Sequence, residues 1–133
     1  MGVAVVRAID TNILVRLIAR DDVRQTIAAV RVVENGVWVS NVVLAEAICV
    51  LKTYFNRGRD EIADIVKVLL NHDSLVLQDA HAVTEALALF RKEKRVSFSD
   101  CLILEIARRA GHLPLSTFDR DLAKLPGAER QNI

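Results

Sequence analysis

Four carboxylates, Asp10, Glu46, Asp100 and Asp119, interrupt or end runs of the chain that are otherwise largely apolar. A carboxylate in such a setting is costly to bury unless it is hydrogen-bonded, paired or bound to a cation. Held close together, such groups repel and raise one another's pKa unless a divalent cation compensates them. Oxygen donors favour Mg²⁺ or Mn²⁺, and no His/Cys spacing of the kind that binds zinc accompanies them. Ions of that type activate water, orient a phosphodiester and stabilise charge on the leaving oxygen, so phosphodiester hydrolysis is the chemistry this inventory best supports.

The local frames narrow where each acid sits. Asp10 closes V-A-V-V-R-A-I, which reads as a buried strand, and opens T-N-I-L-V-R-L-I-A, which reads as a helix. It is therefore expected at the carboxyl end of a strand, where open α/β sheets bind ligands. Glu46 lies within S-N-V-V-L-A-E-A-I-C-V-L, with Ser40 as N-cap and no other ionisable acid or base before Lys52. Its side chain is expected on a helix face mostly covered by protein. Asp100 follows S-F-S and should occupy the first turn of a well-packed helix, and Asp119 follows the strand-like P-L-S-T-F.

Each position also has a plainer reading. Asp10 and Asp119 suit helix N-caps, and Ser97 with Asp100 matches the S-x-x-D capping box. Glu46 is harder to explain as a cap, because a helix interior offers no free backbone amide. Asp121 either supplements the pocket or faces solvent. His72, His81 and His112 have no recognisable motif around them and are weak candidates for general-base work. There is no Walker A sequence, dinucleotide-type glycine fingerprint or G-x-S-x-G elbow. One common form of phosphoryl-aspartate enzyme needs a second Asp two residues after the first, and that position is Asn12.

A chain of 133 residues with 52% hydrophobic content matches one ordinary domain with a sizeable core. Eighteen basic residues against 17 acidic leave a net charge of +1, which says little about nucleic acid, so local clusters matter more than the sum. Cys49 and Cys101 fall in apolar helical patterns and are expected as core thiols rather than a disulfide, which suits a reducing cytoplasm. The first residues lack the features of a secretion signal, and no apolar segment approaches the ~20 residues that span a bilayer. A cytoplasmic, non-membrane protein is expected.

Strand and helix patterns alternate along the chain. Strands are expected at 3–9, 36–39, 75–77 and 113–116, with an edge strand around 129–131. Helices are expected near 12–19, 23–34, 41–55, 60–70 and 80–92, with a further helix from Asp100 that Gly111 breaks. That succession predicts one three-layer α/β domain over residues 1–133 with a mainly parallel sheet. No internal repeat, low-complexity tract or linker interrupts it, so all four acids can belong to one rigid pocket.

Taken together, Asp10-Thr11-Asn12, the isolated Glu46, Ser99-Asp100 and Thr117-Phe118-Asp119 resemble the PIN-domain ribonucleases. The opening I-D-T-N-I-L-V-R-L and the chain length are similar to the VapC toxins of toxin–antitoxin pairs, and the resemblance runs from Ala8 to about Leu125. It implies a PIN-like sheet of order 3-2-1-4-5, with Asp10, Glu46, Asp100 and Asp119 binding Mg²⁺ or Mn²⁺. Thr11 and Asn12 would shape the first loop, with the Asn12 side chain supporting the carboxylates. Thr117 would support the site beside Asp119, with Asp121 assisting through water. Ser99 stands where many relatives carry a small apolar residue, a mild departure.

The resemblance further implies cleavage of RNA by metal-activated water, a homodimer, and a cognate VapB-like antitoxin. The antitoxin tail would lie over an apolar groove, for which Ile13, Leu17, Val30 and Val33 are candidates. Arg16, Arg20, Lys92, Lys94, Arg95 and Arg120 flank the acidic segments and are candidates to guide RNA, although most surface Lys and Arg are simply solvated. Trp38 is expected in the core, and an aromatic content of 5% argues against recognition through an array of stacked bases. Two alternatives stand beside the toxin: a PIN-type RNA-processing nuclease, and a noncatalytic interaction module whose acids cap helices or bind a basic peptide.

Overall fold

The computed structural model describes residues 6–133, and the chain divides into two compact units, Met1–Ala80 and His81–Ile133. The first unit runs β1 (Arg7–Ala8), α1 (Thr11–Ala19), α2 (Val23–Val33), β2 (Val37–Val39), α3 (Asn41–Thr53), α4 (Arg59–Leu70) and β3 (Leu75–Leu77). Of the strand expected over 3–9, residues 3–5 lie outside the described residues. Side chains start three of its helices: Asp10, Asp22 and Ser40 accept the N–H groups of Ile13, Gln25 and Val43. Such caps satisfy amides that a helix start otherwise leaves without partners. The strands pair in parallel in the order β1-β2-β3, with Arg7 opposite Val37 and Trp38 opposite Val76. Val37 and Val39 of the central strand are buried, as are Leu14, Leu44, Leu51 and Val66. Helix α1 packs against α2 and α3, which brings the residue after Asp10 to the flank of the helix that carries Glu46.

The second unit holds α5 (Ala80–Lys92, beginning at the boundary), α6 (Phe98–Ala110), β4 (Leu115–Thr117), a 3-10 turn at Leu122–Lys124 and β5 (Ala128–Arg130). Val83, Phe90, Phe98, Cys101, Leu102 and Leu104 are buried, and the Phe90 and Phe98 rings meet edge to face with centroids 5.9 Å apart. That arrangement suits the opposite charge of ring edge and face. Glu105 is buried and receives Arg108 Nε at 2.8 Å. The same guanidinium donates through Nη2 to the Pro126 carbonyl, tying α6 to the approach to β5. Gly127 follows at φ +93°, where a Cβ would lie 3.0 Å from Arg108 Nη2, so both the backbone and the clamp call for glycine.

The α/β alternation is as expected, but the sheet is not. The strands form two separate sheets, β1-β2-β3 and β4-β5, instead of one five-stranded sheet in the order 3-2-1-4-5. A single sheet in that order needs β1 to pair on both edges, whereas its two residues pair with β2 alone. Strand β4 is matched over its three residues by β5, in parallel. Two further expectations are corrected. Trp38 is half-buried rather than in the core, since it alternates with the inward Val37 and Val39. Cys101 is buried, but Cys49 is exposed on α3; both are thiols.

Candidate metal centre

Asp10 sits between β1 and α1, as its frame predicts. Its Oδ1 accepts the Ile13 N–H at 3.1 Å, so it is the cap of α1, and the residue is exposed. A capping carboxylate uses one oxygen and keeps a second, so the cap and the ligand readings do not exclude one another. Negative charge at this helix start also complements the helix dipole.

Glu46 lies in α3 and is exposed, contrary to the expectation of a covered face. The buried residues of α3 are Leu44, Ala47, Ile48 and Leu51, while Val42, Glu46, Cys49 and Thr53 fall on the outer face at helical spacing. Thr11 donates its hydroxyl to Glu46 Oε2 at 2.7 Å, joining the loop after Asp10 to α3. Support for the carboxylate was expected from Asn12, but it is Thr11 that gives it; Asn12 is exposed and lines two clefts.

In the second unit Ser97 caps α6 and accepts the Asp100 N–H at 3.1 Å, which fixes half-buried Asp100 in the first turn of the helix. Ser99, beside it, is half-buried. Asp119 is exposed, and its Oδ1 accepts two N–H groups, of Asp121 and Leu122, each at 2.8 Å. Its own N–H donates to Thr117 Oγ1 at 2.9 Å, so the expected supporting contact of Thr117 is to the backbone of Asp119. Asp121 is half-buried and lies 3.8 Å from Lys124 Nζ.

Carboxylates with neighbouring hydroxyl groups are oxygen donors of the kind a hard divalent cation takes. Among the described residues, however, no group of three or more His, Cys, Asp or Glu side chains is gathered closely enough to hold an ion. The geometry thus orients each acid individually without presenting a finished cage. Two of the three histidines meet groups other than these acids. His72 Nδ1 accepts the Ser74 N–H, and His81 Nδ1 lies 3.0 Å from Arg109 Nη1.

Of the bases proposed to guide RNA, Arg20, Lys92, Lys94, Arg95 and Arg120 are exposed, whereas Arg16 directs Nη1 at both oxygens of Asp21, at 2.6 and 2.8 Å. Its guanidinium holds the Asp21 carboxyl below the usual carboxylate range. The residues proposed for an antitoxin groove differ in exposure. Ile13 and Leu17 border different clefts, Val30 is exposed and Val33 is buried. Tyr54, which belongs to no motif in the sequence, is 82% exposed at the end of α3. Its only signal was an aromatic pair, Tyr54-Phe55, just after the acidic helix.

An α/β chain with an acid at the end of its first strand and others at helix starts is the class of protein that the fold and site define. The PIN domain matches residues 7–128, which spans nearly all of the chain and both of its units, and the chain belongs to that family. No curated protein gives a significant match. Among the described residues no helix is long and apolar enough to cross a membrane.

Proposed function

We propose that the chain is a divalent-cation-dependent endoribonuclease that hydrolyses RNA phosphodiesters, and that it acts in the cytoplasm as the toxin of a VapC-type toxin–antitoxin pair. The observation that carries this reading is the order of Asp10, Glu46, Asp100 and Asp119 within a PIN-domain match over residues 7–128. Asp10, Glu46, Asp100 and Asp119 would hold Mg²⁺ or Mn²⁺ as parts of one nuclease domain. When bound, such an ion supplies Lewis acidity, making water nucleophilic near neutral pH and offsetting phosphate charge.

The chain's own groups prepare for that role. Asp10 and Asp119 each keep one carboxylate oxygen outside the backbone hydrogen bonds that fix them. Thr11 holds one Glu46 oxygen, and Glu46 would be among the residues that hold the ion. Arg20, Lys92, Lys94, Arg95 and Arg120 draw the phosphate backbone in, with Asp121 and Ser99 bordering the acids. A second copy of the chain and an antitoxin peptide are the protein partners this reading implies.

The test is cleavage of total cellular RNA by purified protein with Mg²⁺, Mn²⁺ or EDTA, beside Asp10→Asn and Glu46→Gln. Discrete metal-dependent products are expected, with activity lowered at least ~100-fold in each variant. Both variants should fold, since Asn keeps the Asp10 cap and Glu46 is exposed on α3. Undiminished cleavage by both would sink the proposed site. An inert but folded, metal-loaded wild type would favour the noncatalytic module.

A further inference from the structure

Beside the acids of the first unit lies a cleft that the proposed chemistry does not use. It has a volume of about 520 Å³ and is bordered by Thr11, Asn12, Arg16 and Asp21 together with the apolar Val15, Val50, Tyr54 and Phe55. That size falls in the ordinary range for small-ligand sites, roughly 300–1,000 Å³. At one end, Thr11 is the residue whose hydroxyl holds Glu46. At the other, Tyr54 is 82% exposed on a backbone held by hydrogen bonds. Its N–H closes α3 on the Val50 carbonyl at 2.8 Å, and the turn beyond it is set by Asn56 at φ 52° and by the Arg57 N–H on the Leu51 carbonyl. The half-buried Phe55 ring backs it, with centroids 6.5 Å apart.

Arg16 completes the arrangement. Asp21 engages its Nη1, while its Nε is buried with no hydrogen-bond partner.

Resting on the ribonuclease reading, we infer that this cleft is a subsite for one unpaired nucleotide of the RNA. Tyr54 stacks on the base, and the Arg16 guanidinium donates to a phosphate oxygen or a base carbonyl. An exposed ring on a rigid turn offers a π-face to any base, and a planar guanidinium matches acceptor-bearing edges and phosphates. A base inside a duplex has no free face to offer, so the strand must be single. The nucleotide so held would neighbour the phosphodiester presented to Asp10 and Glu46.

The probe is a fluorescein-labelled, mixed-sequence single-stranded oligoribonucleotide, titrated in EDTA so that binding is read without cleavage. Tyr54→Ala should weaken binding roughly 10-fold, while Tyr54→Phe, which keeps the ring, should bind like wild type. A duplex of the same sequence should bind without sensitivity to Tyr54. Equal affinity of Tyr54→Ala and wild type for the single strand would overturn the subsite. If self-association in sedimentation fell in Tyr54→Ala while RNA binding held, the face would be a protein contact and the inference would again be lost. The two readings fail separately. Tyr54-dependent binding by a protein that never cleaves removes the nuclease and keeps the subsite. Cleavage with KM unchanged in Tyr54→Ala does the reverse.

Discussion

Asp10 and Asp119 each follow a strand of no more than three residues and turn Oδ1 back onto backbone N–H groups, but they are held differently. Asp10 takes one N–H, and the loop it belongs to is tied to Glu46 through the Thr11 hydroxyl, across 35 positions of sequence. Asp119 takes two N–H groups and has its own N–H held by Thr117, all within six residues of chain. Asp100 is likewise placed by a local cap, from Ser97. In the first unit the acids depend on the packing of α1 against α3; in the second each acid depends on its own turn. Disturbance of tertiary packing should therefore reach Glu46 before it reaches Asp119.

The largest stability effect should come from Asp119. Asp119→Ala removes the acceptor of two N–H groups and should cost about 1–2 kcal/mol in urea unfolding, against about 1 kcal/mol for Asp10→Ala. Asn at either position keeps a carbonyl acceptor and should recover most of the loss. Equal midpoints for Asp119→Ala and Asp119→Asn would show that the turn does not rest on this side chain, and the contrast between the two turns would fall.

Much of this was legible in the chain. The strand at Leu75–Leu77 and the helix at Ala80–Lys92 coincide with their sequence expectations, because apolar spacing and turn residues mark such elements locally. The placement of Asp10 and Asp100 at helix starts was legible for the same reason. Strand pairing was not: strands of two or three residues carry too little pattern to say which neighbours they take, and the five-stranded order came from resemblance. The outward direction of Glu46 was concealed by Val42 and Cys49, apolar residues that share its exposed face and made the whole helix read as covered. The Arg108 clamp on Glu105 and Pro126 was equally hidden, since nothing in a sequence says that a charged pair three residues apart also reaches a carbonyl 18 positions away.

A smaller effect tests the tertiary link. Thr11→Val removes the hydroxyl that holds Glu46 while keeping the side chain's shape, and at this half-buried site it should change stability by no more than about 1 kcal/mol. If that hydrogen bond orients Glu46, Mn²⁺ affinity measured by calorimetry should fall roughly 10-fold, while Thr11→Ser should retain it. Thr117→Val is the matched change in the second unit. Because Thr117 touches the backbone of Asp119 rather than a carboxylate, it should lower stability more than it lowers metal affinity. The same outcome for both valines would erase the distinction between a tertiary and a local support.

The smallest effect concerns an acid of the first unit that is neither cap nor candidate ligand. Asp21 is held by Arg16, whose guanidinium keeps the Asp21 carboxyl below its ordinary value. Because the folded pKa is the lower one, the pair's contribution is present above the unfolded value of about 3.9 and is lost as pH falls through the folded value. Asp21→Asn should accordingly be slightly less stable than wild type near neutrality, with the gap closing below about pH 4. The pair is exposed to salt as well as to acid, so added NaCl should narrow the gap at neutral pH. A gap that ignores both pH and salt would mean that the ion pair does not hold Arg16 in place, and that packing alone fixes the guanidinium at the edge of the Tyr54 cleft.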